Sequence, residues 1–197
     1  MAASALNARP GLRLLPLLLA AIGLVLLVKA AYIPAKAALA QWLLQRSWAA
    51  LETGGETAAP WPGADLAPVA RLHQPRLGID QLVLDDASGR SLAFGPGRVA
   101  GSVRPGVPGN LVLSGHRDTH FRWLRHLAPG DELLLEAGDG RVLRYRVTDG
   151  RVVGADRVDL LDPFGFDGLR LLTCYPFDAV VPGTPLRYLV SARPVPP

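Results

Sequence analysis

The segment Leu14–Ile33 is a stretch of twenty residues that is apolar except for one charge, Lys29. A helix needs about 20 apolar residues to cross the hydrocarbon core of a bilayer, so this segment is long enough to span one. Arg9 and Arg13 precede it, and basic residues before a first span favour a cytoplasmic N-terminus. We therefore expect a single-pass anchor in residues 1–37, with the rest of the chain on the extracytoplasmic, periplasmic side of the cytoplasmic membrane.

Two alternatives to an uncleaved anchor are open. Ala35-Lys36-Ala37 is similar to a small-residue cleavage site, so the segment could be a signal peptide that is removed on export. A buried core helix is the other alternative, and it is disfavoured because no polar residues mark a second face. In either exported form, the single Cys174 would meet an oxidising compartment without a disulfide partner in its own chain.

The charge distribution argues against a nucleic-acid-binding protein. The 197-residue chain has 21 Lys and Arg against 17 Asp and Glu, a net charge of +4. Four of these cations and none of the acids precede residue 38, so the remainder is neutral, with 17 charges of each sign. The arginines there alternate with acids instead of forming the basic stripe that binds phosphates. A single Cys also excludes a disulfide framework and a Cys-based zinc ribbon.

After the anchor, the composition of the chain changes twice. Residues 38–68 combine a segment rich in Ala, Leu and Gln, which is predicted to be helical, with a Gly- and Pro-rich linker over Thr53–Pro68. Trp42 and Trp48 in the helical part could lie at a membrane interface or pack on the domain that follows. That domain covers residues 69–197, and the linker predicts that it folds without the anchor.

Short apolar runs between turn signals dominate residues 69–197. Runs of this length, with few helices between them, are typical of a closed or sandwiched β domain. The fold class predicted is therefore mainly β, with short helices at Ala87–Phe94 and Thr119–His126. The predicted strands are Ala70–Leu72, Leu77–Leu84, Leu111–Ser114, Leu133–Glu136, Val142–Val153, Leu169–Thr173 and Leu186–Ser191.

Three chemically competent residues lie where a predicted strand begins or ends. Cys174 ends the apolar run Leu169–Thr173, and a thiol at the rim of a sheet becomes a nucleophile when nearby cations favour the thiolate. His116 follows the run Leu111–Gly115, and histidine serves as a general acid or base near neutral pH. Arg187 begins the last apolar run, where an arginine must find an acceptor or face a cleft. Taken singly, each is equally compatible with an inert structural role.

The segment His116-Arg117-Asp118-Thr119-His120 also has a spacing that could suggest metal ligands. It lacks the glutamate that follows the first histidine in zincins, and Arg117 would repel a cation. We therefore expect Asp118 and His120 to support the site or to lie at the surface, and we expect neither a metal nor another cofactor.

Taken together, these residues resemble the sortase family of membrane-anchored cysteine transpeptidases. Leu172-Thr173-Cys174 resembles the end of the family's Thr-Leu-x-Thr-Cys strand, and Ser114-Gly115-His116 resembles its Gly-His strand end. Leu186-Arg187-Tyr188 is similar to its arginine strand, and the spacings of 58 and 13 residues are comparable. Arg170 departs from the pattern, since the family usually has threonine there. Cys174-Tyr175-Pro176-Phe177 is most similar to the proteobacterial branch of marine Gram-negative bacteria, class GN, near class D.

The resemblance implies an eight-stranded β-barrel and a peptidase that cleaves a C-terminal sorting signal similar to Leu-Pro-x-Thr-Gly. Cys174 would form a thioester with the substrate, and His116 would protonate the leaving amine and then deprotonate the incoming nucleophile. Arg187 would bind the substrate backbone or the oxyanion, with the N–H of Tyr175 as a second oxyanion donor. The implied partners are an exported protein that bears the signal, an amine acceptor, and the membrane lipid around the anchor.

Other cysteine enzymes fit the chain less well. Relatives of the L,D-transpeptidases have His and Cys in one short motif, and papain-like enzymes have Cys before His, whereas here His116 precedes Cys174 by 58 residues. A membrane-tethered β-barrel that binds its partner without catalysis is the alternative from a different class.

Overall fold

A computed structural model describes residues 10–55, 58–181 and 183–196, with the side chains of residues 10–15 outside the description. Arg9 and the rest of the expected cytoplasmic segment in residues 1–9 also lie outside the described residues. The chain divides into two units, one that ends at Ala40 and one over Gln41–Pro197, and each is described by itself.

Helix α1 covers Pro10–Glu52. Pro16 and Pro34 lie inside it, so the apolar anchor segment and the helix predicted after Pro34 form one continuous helix. Proline removes one N–H donor from a helix interior, a cost that Ala and Leu, the strongest helix formers, offset in this composition. Within Pro16–Glu52 an apolar window has a mean hydropathy of 2.2, and none of that window is buried. By length and composition, this N-terminal helix is able to serve as a membrane anchor.

The end of α1 that belongs to the second unit contributes to a small apolar cluster. Trp48 and Leu44 are each 1% exposed, and the Trp48 Nε1–H donates to the Glu52 carboxylate over 2.7 Å. Trp42, by contrast, is 56% exposed, so only one of the two tryptophans packs on the domain. The buried members of the cluster are Leu44, Trp48, Leu66, Leu82 and Leu84.

Eight strands close into a barrel in the order β1-β2-β3-β4-β7-β8-β6-β5, which confirms the predicted fold class. All neighbouring pairs are antiparallel except β2 with β3 and β4 with β7, which are parallel. The strand missing from the prediction is β3, whose two residues are too few to show an alternating pattern. The strands are β1 Pro68–Gln74, β2 Ile79–Leu84, β3 Gly97–Arg98, β4 Asn110–Ser114, β5 Glu132–Ala137, β6 Val142–Gly154, β7 Gly168–Tyr175 and β8 Leu186–Pro194.

In the part of the chain that the structure describes, the short helices are of 3-10 type and three to five residues long. Two of them, Ser91–Ala93 and Arg122–His126, lie inside the segments predicted to be helical. The other two are Pro75–Leu77 and Val158–Leu161, and the latter interrupts the connection between β6 and β7.

The barrel core determines which side chains of β4, β7 and β8 face outwards. Alternate residues of these strands enter the main core cluster, namely Leu111, Leu113, Leu169, Leu171, Val190 and Ala192. Successive side chains of a strand point to opposite faces, so the residues between them lie on the outer face of the barrel. Arg170 and Ser191 on that face are still only 7% and 3% exposed. Other parts of the domain must therefore cover part of this outer face.

We predict that Trp48→Ala strongly destabilises a soluble fragment over residues 41–197. Truncation of a buried aromatic side chain costs about 3–5 kcal/mol in the free energy of unfolding, because it leaves a cavity. Trp42→Ala, on the same helix but exposed, is the matched control and should change that free energy by about 0.5 kcal/mol or less. Urea denaturation measures both, and equal effects would contradict the packing of Trp48.

A fragment over Val69–Ala192 lacks Leu44, Trp48 and Leu66 and should be less stable than the fragment over residues 41–197.

Candidate active site

Cys174 and Arg187 lie opposite each other on neighbouring strands. Cys174 is the penultimate residue of β7, Arg187 is the second residue of β8, and the two are partners in the antiparallel register. The side chains of such partners share one face of the sheet, with Cβ atoms about 4.5–5.5 Å apart. Both residues are partly exposed. A thiol and a guanidinium thus share an accessible end of the outer barrel face.

His116 follows the parallel strand on the other side of β7. Ser114 is in register with Leu172, and the Gly115 N–H continues the ladder by donating to the Leu172 carbonyl over 3.2 Å. The Thr173 hydroxyl donates to the Gly115 carbonyl over 2.6 Å, so the backbone on both sides of Gly115 is bound to β7. His116 itself is exposed. All three residues named from the sequence, His116, Cys174 and Arg187, are therefore brought to the same end of the β4-β7-β8 sheet.

Gly115 is required by the packing beneath the site. A Cβ at this position would lie 2.8 Å from the Phe121 ring, which is fully buried. The Phe121 N–H donates in turn to the His116 carbonyl over 2.9 Å. Any side chain larger than hydrogen would displace this ring, and the turn that presents His116 would move with it.

Arg187 is oriented by the backbone around it. Its Nη1 donates to the carbonyls of Thr184 and Leu186 over 2.6 and 2.9 Å. Its hydrogen bonds to described residues use this one nitrogen, so the Nε and Nη2 donors of the planar fork are free to bind a ligand. A guanidinium with free parallel donors is suited to a carbonyl oxygen that acquires negative charge.

An aromatic cluster lies at the same end of the barrel. It was not predicted from the sequence. Tyr175 stacks on Tyr188 with ring centroids 6.3 Å apart, and Phe177 meets Tyr188 edge-on at 5.2 Å. Arg125 lies over the Phe177 ring at 4.8 Å and forms an ion pair with Asp178 at 3.0 Å. The cluster packs the segment that follows Cys174 against the residue that follows Arg187. Three aromatic residues adjacent to the Cys and Arg positions were the available signal.

Arg170 fastens the β6–β7 connection onto the outer face. Its Nη1 donates to the Leu160 carbonyl over 2.7 Å, and its guanidinium lies 4.4 Å from the centre of the Phe166 ring. Asn110, fully buried, donates from Nδ2 to the Leu160 and Asp162 carbonyls over 2.9 and 2.8 Å. Burial lowers the pKa of Arg170. Because this arginine is buried and binds the connection through Nη1 and its guanidinium face, the departure from the threonine of the family pattern has a structural role.

His120, four residues after His116, is partly buried. Burial lowers the pKa of its ring, against the opposing effect of a hydrogen bond to the Ala93 carbonyl. The Trp123 Nε1–H donates to the His120 carbonyl over 2.7 Å. Among the residues that the structure describes, no group of three or more His, Cys, Asp or Glu side chains is arranged to hold a metal ion.

Comparison with known proteins gives a consistent result. A family model described as Sortase domain matches residues 72–195. Sortase D of Bacillus subtilis (strain 168) is 31% identical over 125 residues, which cover 63% of this chain and 62% of that protein. The match thus spans less than two thirds of the length of this relative.

Solved structures that have the same fold as this chain include two from Clostridium perfringens. A Clostridium perfringens Sortase D5 transpeptidase aligns with a TM-score of 0.64 and 18% identity, and the alignment covers 81% of this chain and 99% of that one. A Clostridium perfringens sortase C with the C-terminal cell wall sorting motif aligns with a TM-score of 0.59 and 23% identity, over 82% of this chain and 90% of that one. At 18% and 23% identity, both likenesses show the fold alone.

Proposed function

Since this chain belongs to the sortase family, we propose that it is a membrane-anchored cysteine transpeptidase that uses Cys174 to cleave a C-terminal sorting signal similar to Leu-Pro-x-Thr-Gly. The observation that supports this most is the cross-strand pairing of Cys174 with Arg187, with His116 bound alongside through the backbone of Gly115. A nucleophile, a proton carrier and an anion-binding group on one accessible sheet end are the groups that acyl transfer needs.

The reaction proceeds in two steps. In the first, the Cys174 thiolate attacks the scissile carbonyl carbon, and the oxygen that acquires negative charge is bound by the free donors of Arg187. His116 then gives its proton to the nitrogen of the leaving amine as the C–N bond breaks, which leaves a thioester on Sγ. In the second step, an amine or water attacks the thioester, His116 takes up its proton, and the thiolate is released.

Two features support the substrate class that we propose: the family of the chain and the accessible end of the sheet at which Cys174 lies. One structural relative was solved with the C-terminal cell wall sorting motif, and we propose a peptide of the same class for this chain. An exported protein that bears such a signal and an amine acceptor are then the two partners. The 31% identity to a Sortase D supports a position near class D, and class GN is proposed from Tyr175-Pro176-Phe177.

We further propose that residues 1–37 anchor the protein in the cytoplasmic membrane and that residues 38–68 and the catalytic domain in 69–197 lie on the extracytoplasmic side. The support is the exposed apolar window of α1 and the two arginines that precede it. Membrane fractionation and N-terminal sequencing of the native protein test this arrangement. A mature N-terminus near Ala38 in a soluble fraction would contradict the anchor.

Incubation with a library of peptides that carry sorting-signal-like sequences, in the presence of hydroxylamine or a glycine amine, tests the activity. We expect cleavage at one defined bond, a product joined to the added amine, and a mass adduct on Cys174 in the absence of amine. Peptides that bind and protect Cys174 from alkylation but are never cleaved would favour a binding module without catalysis.

A further inference from the structure

Arg117 follows His116 directly and connects it to a distant part of the chain. It is half-buried, and its Nη2 donates to the carbonyls of Ala179 and Val181 over 2.7 and 2.9 Å. Its Nη1 donates to the Thr184 hydroxyl over 3.3 Å. All three acceptors belong to the connection between β7 and β8, that is, between the strand of Cys174 and the strand of Arg187.

Thr184 is where this connection meets Arg187. Its hydroxyl accepts from Arg117, and its carbonyl accepts from Arg187 Nη1 over 2.6 Å. A continuous series of hydrogen bonds therefore begins at the residue after His116 and ends at the residue opposite Cys174. Bonds from a guanidinium are charge-assisted and about twice as strong as neutral ones, and a planar fork directs them at fixed angles.

Among residues 176–181 and 183–185, which the structure describes, few other interactions hold the central part of this connection. Val180 and Val181 are 97% and 70% exposed, so burial contributes almost nothing to their position. Asp178 pairs with Arg125 at one end, and the Pro185 carbonyl accepts from the Ala155 N–H at the other. Between these ends, the hydrogen bonds from Arg117 are what fix the backbone on which Thr184 lies.

We propose that Arg117 is a positioning residue: it holds Ala179, Val181 and Thr184 so that the Thr184 carbonyl orients the Arg187 guanidinium toward the Cys174 side of the sheet. This inference rests on the proposed function, because the orientation of Arg187 matters only if Arg187 binds substrate. Arg117 then acts through the position of the Arg187 guanidinium and does not itself contact the reacting atoms. A small displacement of a positioned group is enough to cost about 10²-fold in rate.

The test compares Arg117→Gln and Arg117→Lys with Arg122→Lys, an exposed arginine nearby. We expect kcat/KM for the cleaved peptide to fall about 10²-fold in Arg117→Gln, with a partial recovery in Arg117→Lys and no change in Arg122→Lys. The rate at which a small alkylating reagent labels Cys174 should change far less than kcat/KM, because the thiol and its strand stay in place. Amide hydrogen exchange should accelerate in residues 178–181, 183 and 184 of Arg117→Gln and nowhere else in the barrel.

A double-mutant cycle separates positioning from general stabilisation. If Arg117 acts through Arg187, then Arg117→Gln should cost little further activity in an Arg187→Lys background, and the two effects will not add. Additive effects, or normal kinetics in Arg117→Gln while the wild-type protein is active, would overturn this inference alone. If the wild-type protein cleaves no peptide, the proposed function fails, and the role of Arg117 fails with it.

Discussion

Replacing Cys174 by alanine will abolish cleavage, transfer and formation of the acyl adduct together. The chain contains one cysteine, so no other thiol can form the thioester. A covalent route depends wholly on its nucleophile, and the remaining groups can at most bind the peptide. Intact-mass spectrometry of the protein after incubation with peptide measures the adduct, and chromatography of the peptide measures turnover.

Cys174→Ser is the matched control for shape, because it retains a side chain of similar size at the same position. It should bind the peptide, melt like the wild-type protein, and show little turnover, since a hydroxyl is a much weaker nucleophile than a thiolate. An adduct on Cys174→Ala, or more than residual turnover by that variant, would rule out the thioester mechanism.

The second large effect is expected at the two partners of the thiol. His116→Ala should lower the rate of acylation by about 10²–10⁴-fold, because the amine then leaves without a proton donor. Arg187→Lys keeps the charge but loses the planar fork, and loss of an oxyanion donor typically costs about 10²–10³-fold. Single-turnover measurements with excess enzyme report acylation separately from the later attack by amine or water.

Matched controls exist for both changes. His126 and Arg146 are exposed and lie outside the β4-β7-β8 sheet end, so His126→Ala and Arg146→Lys should leave the acylation rate near the wild-type value. If His116→Ala and Arg187→Lys behave like these controls, the three residues do not act as a catalytic unit.

Strand prediction succeeded where a strand carries an apolar run of several residues and failed for a strand of two residues. The apolar runs around Leu111–Ser114 and Leu169–Thr173 predict two strands whose ends carry His116 and Cys174, and both strands are present. A sequence pattern does not reveal that these strands are parallel neighbours, because pairing over 58 residues is decided by closure of the barrel. Gly97–Arg98 is too short for any periodicity to register.

The sequence also did not predict which single side chains contact distant parts of the chain. Trp48 packs on the domain while Trp42 does not, and the two have similar local sequence surroundings. The sequence does not show what Arg170 and Arg117 bind, because their carbonyl acceptors belong to distant connections. A hydrogen bond to a backbone carbonyl depends on where a loop passes and not on which residues the loop contains. No sequence motif therefore predicts such a bond.

The parallel pairing of β4 with β7 has a consequence for how the protein acquires its activity. The partners in this pair, such as Asn110 and Gly168, are far apart in the chain, and contacts of this kind form late and slowly during folding because the intervening chain must first be ordered. The pairing of β4 with β7 brings His116 to the end of the sheet that carries Cys174. An unfolded or half-folded chain therefore carries an ordinary thiol, and the reactive arrangement comes into being together with the finished barrel.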